Sequence, residues 1–165
     1  RHGKELLVYI PMAFGNPYGD DYSEEIVLKW GSEFAAMDIP IISVADTVGL
    51  ATPQQVERVT RTLISALPQT EVGVHLHAHP LGWKEKIDAA LAAGCRRFDG
   101  ALKGIGGCPM ANDALVGNLN TELLIPYFEQ LNLLGRFNKE ALAAASSIAG
   151  NIFNLSQTTE HRSWS

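Results

Sequence analysis

The sequence predicts an α/β fold in which short strands alternate with helices along the chain. Four apolar or β-branched runs have the length of buried strands, and each is followed by a longer stretch whose apolar residues keep helical spacing; the runs are 6–10, 39–44, 72–77 and 97–102. Parallel strands joined by helices form either a doubly wound sheet or a (β/α) barrel. The runs begin about 25 to 33 residues apart, which fits the repeat length of a barrel.

The length of the chain limits how much of a barrel it can form. A complete barrel of eight βα units needs roughly 250 residues, whereas this chain has 165. We therefore expect residues 1–165 to form one domain, a partial barrel of about four units. The chain opens on Arg1, and no charged-then-apolar targeting pattern precedes the first run. We expect the protein to start upstream and to reside in the cytoplasm or the mitochondrial matrix.

The helices are predicted from capping residues and apolar spacing. The first follows Ser23, a residue type that caps helices, and continues to about Met37. The second has the clearest start, because Thr52 as N-cap and Gln55 three residues later form a capping box, with Pro53 at the first helical position. A third helix is predicted over about 81–93, and Gly94 follows it as a left-handed C-cap. A fourth helix is predicted to start near residue 120, and a last one covers about 138–153.

Composition excludes several classes of function. The 13 Lys and Arg residues against 18 Asp and Glu give a net charge of −5, which argues against a nucleic-acid or anionic-membrane partner. No apolar run is long enough to cross a bilayer. The two cysteines, Cys95 and Cys108, are too few for a disulfide-dense secreted domain, so a reducing compartment is expected.

Polar residues follow the predicted strands, at the edge where ligands bind in both architectures. His75 and His77 are two positions apart on the third strand, so both side chains point to one side and can hold a cation. A buried pair that only satisfies hydrogen bonds is an equal alternative. Asp46 follows the second strand, where a carboxylate can orient a histidine, bind a substrate hydroxyl or cap the turn. Asp99, in the fourth run, either points into a barrel or pairs with a neighbouring arginine.

A glycine-rich segment at 104–109 follows the fourth run. It lacks the spacing of a dinucleotide fingerprint and the Lys-Ser/Thr of a P-loop, so nucleotide binding is not favoured. The segment is typical of a mobile loop that places Cys108 over the strand ends, where a thiol can act as acid or base. The alternative for Cys108 is a small buried residue in a tight turn, and Cys95 is interpreted as a packing residue.

Four segments together resemble the second half of 3-hydroxy-3-methylglutaryl-CoA lyase. They are SVADTVG at 43–49, VHLH at 74–77, GGCPMA at 106–111 and GN at 117–118. The resemblance extends from about residue 8 to about residue 122, with the segments in the family's own order. The Gly-Gly-Cys-Pro loop is the specific part, because the other motifs recur in related aldolases and acyl-CoA-condensing synthases.

The resemblance implies a (β/α)8 TIM barrel, a bound Mg²⁺ or Mn²⁺, and cleavage of 3-hydroxy-3-methylglutaryl-CoA to acetyl-CoA and acetoacetate. An acyl-CoA is thus the implied partner. The roles it implies are metal ligation by His75, His77 and Asn118, catalysis by Cys108, His75 and Asp46, and substrate binding by Asp46 and Glu122. These residue types suit the reaction, since a divalent cation polarises hydroxyl and carbonyl oxygens while a thiol and an imidazole transfer protons.

This chain departs from the family in ways that keep alternatives open. The family's first four strands are absent, and with them the segment that supplies a metal-binding aspartate and a catalytic arginine. After His77 the sequence is Ala78-His79-Pro80, where the family more often has a small polar or acidic residue and then Thr or Tyr. A related aldolase or synthase, or an inactive truncated half-barrel, are the alternative readings. Half a barrel exposes its inner face and its outer strand edges, so we expect a homo-oligomer.

Overall fold

The computed structural model describes residues 3–106 and 116–157. The chain divides into two compact units. In the described part, the first unit contains residues 3–99 and 116–118, and the second contains residues 100–106 and 119–157. No helix within these described ranges is long and apolar enough to span a membrane.

A parallel sheet forms the centre of the first unit. Its strands are β1 (Leu7–Ile10), β2 (Ile41–Asp46), β3 (Glu71–Ala78) and β4 (Arg97–Phe98), paired in that order. A short strand β5 (Gly117–Asn118) pairs antiparallel with the end of β3. Every residue of β2 is buried, as expected for the interior of a parallel sheet that is covered on both faces.

Three helices follow the first three strands: α1 (Glu24–Ala36), α2 (Pro53–Ala66) and α3 (Trp83–Ala92). The helix caps predicted from neighbouring residues are confirmed. The Ser23 hydroxyl accepts from the Ile26 amide, and Thr52 and Gln55 form the capping box. Gly94 has φ of +100°, the left-handed conformation that glycine adopts after a helix.

The second unit contains a 3₁₀ turn (Leu102–Gly104) and two helices, α4 (Thr121–Gln130) and α5 (Lys139–Gln157). The side chain of Asn120 caps α4 by accepting from the Glu122 amide at 2.8 Å. Asn138 accepts from the Ala141 amide at 2.9 Å, at the start of α5. Both starts agree with the sequence analysis.

Several predicted boundaries were wrong, and three of them have an identifiable local reason. The second strand begins at Ile41, not 39, because Pro40 has no N–H for the ladder, and it continues through Asp46. The fourth strand ends at Phe98 and not 102, because Ala101 bridges to Asn120 and not to β3, and the backbone then turns into the 3₁₀ segment at 102–104. The third helix begins at Trp83 and not 81, because residues 79–82 form a turn closed by the amide of Gly82 on the carbonyl of His79.

Candidate active site at the carboxyl end of the sheet

His75 and His77 lie together near the carboxyl end of β3. Because successive strand residues alternate between faces, both imidazoles project from one face while Leu76 packs on the other, where it is 1% exposed. The ring centroids are 5.3 Å apart with the planes at 62°. The Nδ1 atom of each ring is buried and has no hydrogen-bond partner among the described residues. This juxtaposition is the predicted one.

The environment of His75 includes a carboxylate and a phenol from other strands. Asp99 Oδ2 lies 3.5 Å from His75 Nδ1, an ion-pair distance that does not meet hydrogen-bond geometry. The hydroxyl of Tyr9 donates to the same oxygen at 2.9 Å, and the Tyr9 ring packs edge-on against His75 at 5.5 Å. Burial raises the pKa of Asp99, but His75 and the Tyr9 hydroxyl outweigh it and hold that pKa below its usual value. Asp99 is therefore an ionised group that faces Nδ1 of His75.

Strand register explains how Tyr9 reaches His75 across the intervening strand. Tyr9 aligns with Ser43 on β2, and Ala45 aligns with His75 on β3. Ser43 and Ala45 are on one face of β2 and are small, so the larger side chains on either side can meet above them. Sequence analysis did not single out Tyr9, and it left Asp99 open between two roles. The pairing with a neighbouring arginine is not the one observed, since Arg97 pairs with Glu71.

His77 lies deeper and is almost fully buried. Burial lowers its pKa, and His75 lowers it further; Asp46, the side chain of Asn118 and the main chain of Thr47 oppose that shift without reversing it. The imidazole is therefore neutral near pH 7, which is the form that binds metals. Asn118, on β5, is directly opposite His77 in the antiparallel pair. The structure thus brings together the three residues that the resemblance implies as metal ligands.

Asp46 is buried at the end of β2 and forms an ion pair with Lys86 of α3. The Lys86 Nζ to Asp46 Oδ2 distance is 2.7 Å, and the two side chains are only 9% and 2% exposed. Both carboxylate oxygens of Asp46 also accept from the Ala51 amide, at 3.1 and 3.2 Å. Sequence analysis missed Lys86, although its place on the same stripe of α3 as Trp83 and Ala90 was a signal that it faces inward.

Two further predicted site residues are Cys108 and Glu122. Cys108 lies outside the described residues. Glu122 belongs to the second unit, where its Oε2 accepts from the Lys103 amide at 2.7 Å and its other oxygen accepts from the Ser146 hydroxyl. Burial raises the pKa of Glu122, but these hydrogen bonds hold it below the ordinary value. The substrate-binding role of Glu122 stays a prediction.

The residue types that cluster in the first unit are ones that bind divalent cations, but they are too few to complete a coordination shell. No group of three or more His, Cys, Asp or Glu side chains that could hold a metal ion occurs in the described part of the chain. His75 and His77 supply two neighbouring imidazoles, and Asn118, opposite His77, supplies a side-chain amide. Mg²⁺ and Mn²⁺ take six ligands, including carboxylates and water, so these three residues would form half of a coordination shell.

Comparison with known proteins supplies a family for this arrangement. The HMGL-like family matches residues 4–149. The chain is 38% identical over 146 residues to (R)-citramalyl-CoA lyase from Chloroflexus aurantiacus, covering 88% of this chain and 46% of that protein. It is 32% identical over 138 residues to hydroxymethylglutaryl-CoA lyase YngG from Bacillus subtilis, covering 84% of this chain and 46% of that protein.

A solved structure gives the same result for the fold. An HMG-CoA lyase from Acinetobacter baumannii, in complex with coenzyme A and 3-methylmalate, superimposes with a TM-score of 0.76 at 28% identity. The match covers 96% of this chain and 54% of that one. The predicted fold class is confirmed: the α/β sheet is part of a TIM barrel, and the chain spans about half the length of these relatives. The chain therefore belongs to the HMGL-like family.

Proposed function

We propose that the protein containing this chain is a divalent-metal-dependent carbon–carbon lyase that acts on a 3-hydroxyacyl-CoA. The observation that supports it is the pair His75 and His77 on one face of β3, with Asn118 opposite His77. Family membership and similarity to two acyl-CoA lyases add weight to the same class. The substrate we propose is 3-hydroxy-3-methylglutaryl-CoA, cleaved to acetyl-CoA and acetoacetate.

The proposed reaction requires two proton transfers around one bond cleavage. A base removes the proton of the C3 hydroxyl, and the bond to the carbon beside the thioester breaks. The electron pair of the broken bond moves into the thioester enolate, while the C3 oxygen forms a carbonyl. An acid then protonates the enolate carbon. A bound Mg²⁺ or Mn²⁺ would stabilise the negative charge that develops on oxygen.

We assign three parts of that task to side chains of this chain. His75 and His77 would hold the cation through imidazole nitrogens, together with the amide oxygen of Asn118. Asp99 faces Nδ1 of His75, so it would fix the orientation of the ring, as carboxylates beside metal-binding histidines do. Cys108 is our proposal for the acid that protonates the enolate, from its place in the Gly-Gly-Cys-Pro loop.

The experiment uses the protein expressed from the full open reading frame that contains this chain. Acetyl-CoA release is measured with 3-hydroxy-3-methylglutaryl-CoA, with Mg²⁺ or Mn²⁺ and then with a chelator. We expect release that the chelator abolishes and that replacing Cys108 by Ala reduces by at least a hundredfold. Turnover that survives Cys108→Ala would favour a related aldolase or synthase instead.

A second substrate is favoured by one specific observation. Identity to the (R)-citramalyl-CoA lyase is 38%, against 32% to the B. subtilis hydroxymethylglutaryl-CoA lyase. Both thioesters carry a carboxylate and a tertiary hydroxyl on C3, counted from the thioester carbonyl as C1. The same site chemistry therefore serves either substrate. The ratio of kcat/KM for the two substrates decides between them. No release from either would contradict the proposed class.

The inactive half-barrel is tested on the 165-residue chain alone. We expect it to lack turnover, because two imidazoles and an amide leave a hard cation without the carboxylate that it prefers. Activity near that of the full-length protein would show that the described residues and their neighbours suffice.

A further inference from the structure

Lys86 is a buried cation whose hydrogen-bonding capacity is fully used. Its Nζ donates to Asp46 Oδ2 at 2.7 Å, to the carbonyl of His77 at 2.9 Å and to the carbonyl of Gly49 at 3.3 Å. An ammonium has three N–H donors, so none remains to bind a substrate. The three acceptors lie on the end of β2, on the loop after it and on the end of β3, so one side chain of α3 connects two neighbouring strand ends.

Asp46 is held by two donors. Its two oxygens share the Ala51 amide, and Oδ2 also accepts from Lys86. With 2% of the side chain exposed, the carboxylate is buried in these contacts and is not presented at the surface. The catalytic and substrate-binding roles that the family resemblance implies for Asp46 stay predictions.

The contact with His77 gives the ion pair a consequence for the site. Lys86 Nζ donates to the main-chain carbonyl of His77. At this point of β3, the strand paired with it among the described residues is the two-residue β5. The position of an imidazole follows from the position of its Cα, and a displacement of even a few tenths of an ångström changes metal coordination. Partners outside the ligand set typically contribute 10- to 100-fold to metal affinity.

We propose that Lys86 and Asp46 are positioning residues that fix the main chain of His77 and the loop after β2. Their effect on metal binding rests on the proposed function, whereas their effect on the two strand ends does not. The rival explanation is that the pair only stabilises the fold, because removing one partner leaves the other charge buried without compensation.

The experiment compares four variants of the full-length protein. Lys86→Met and Asp46→Asn each break the pair, and the double variant removes both charges. Lys84→Met is the matched control, because Lys84 forms an ion pair of 2.6 Å with Asp88 on the same helix but at the surface. Hydrogen exchange is measured without metal, and Mn²⁺ affinity is measured by the loss of the free-ion electron paramagnetic resonance signal.

In Lys86→Met we expect at least tenfold faster amide exchange in residues 47–51 and 77–79, and a 10- to 100-fold weaker Mn²⁺ affinity. In Lys84→Met both quantities should stay within twofold of wild type. The double variant should recover the unfolding stability that the single variants lose, since no unpaired charge remains buried. Its Mn²⁺ affinity should nevertheless stay weak, because the His77 carbonyl is still without its donor.

Two results would overturn the proposal. One is exchange at the two strand ends that is unchanged in Lys86→Met. The other is a double variant that regains Mn²⁺ affinity together with stability, which would make the pair structural only. A wild-type protein that binds no Mn²⁺ would contradict the proposed function, and the exchange measurement would then decide on the positioning role by itself.

Discussion

Replacing Gly49 by Ala should destabilise the loop that follows β2, for two separable reasons. Gly49 has φ of +76°, and a Cβ built on it would lie 2.4 Å from Cγ1 of Val116. Left-handed backbone costs an L-residue about 1 to 2 kcal/mol. Forcing an extra methyl group against a packed neighbour costs about 1 to 3 kcal/mol more. We expect a total loss in the free energy of unfolding of about 2 to 5 kcal/mol.

The steric part can be isolated by removing the obstructing methyl groups. The variant Val116→Ala is combined with Gly49→Ala in a double-mutant cycle, measured by denaturant unfolding of the full-length protein. Because truncation at 116 relieves the clash but not the backbone conformation, the cycle should give a favourable coupling of about 1 to 3 kcal/mol. A coupling near zero, or a Gly49→Ala variant as stable as wild type, would refute the loop geometry and its contact with Val116.

Three further predictions concern the core, the buried thiol and the exposed surface. Ile87→Ala should lose about 2 to 5 kcal/mol in denaturant unfolding, because Ile87 is 0% exposed and leaves a cavity, whereas Leu81→Ala, at 85% exposed, should change stability by under about 0.5 kcal/mol. In a Cys108→Ala background, Cys95 should react with a disulfide reagent at pH 8 at least a hundredfold more slowly than free cysteine, because burial raises its pKa to about 11; rapid labelling would contradict its packed position. Trp30 is 48% exposed and lines a cavity beside β1, the outer strand of the described sheet, whose edge can pair with a second copy. Trp30→Glu should therefore weaken self-association of the 165-residue chain in sedimentation, and a monomer in both the wild-type chain and the variant would contradict the expected homo-oligomer.

Local features of this fold could be predicted from the sequence because their causes are local. The capping box of Thr52 and Gln55 and the left-handed Gly94 depend on residues a few positions apart. The common face of His75 and His77 follows from the two-residue period of a strand. Strand ends were harder, since the end of β4 depends on a backbone turn that composition does not reveal.

Contacts between distant segments could not be predicted in the same way. Tyr9 and Asp99 are 90 positions apart, and they meet at His75 only because β1, β2, β3 and β4 pair in that order and register. Lys86 is 40 positions from Asp46. A lysine on the inner stripe of α3 indicates that it must find a partner, but only the packing of α3 against the sheet identifies which one. The predicted role of Asp46 came from its place at a strand end, which does not reveal that the carboxylate is buried and paired with Lys86.

The most direct test of the proposed lyase compares two neighbouring histidines in one assay. His77 is buried on β3, whereas His79 lies in the following turn, where its Nδ1 accepts from the Leu81 amide at 3.3 Å. Acetyl-CoA release by the full-length protein is measured as a function of Mn²⁺ for wild type, His77→Gln and His79→Gln. We predict that His77→Gln lowers Mn²⁺-dependent kcat/KM by at least a hundredfold while His79→Gln stays within about threefold of wild type. Equal activity of the two variants, or release that does not depend on Mn²⁺ or Mg²⁺, would contradict a metal-dependent lyase built on β3.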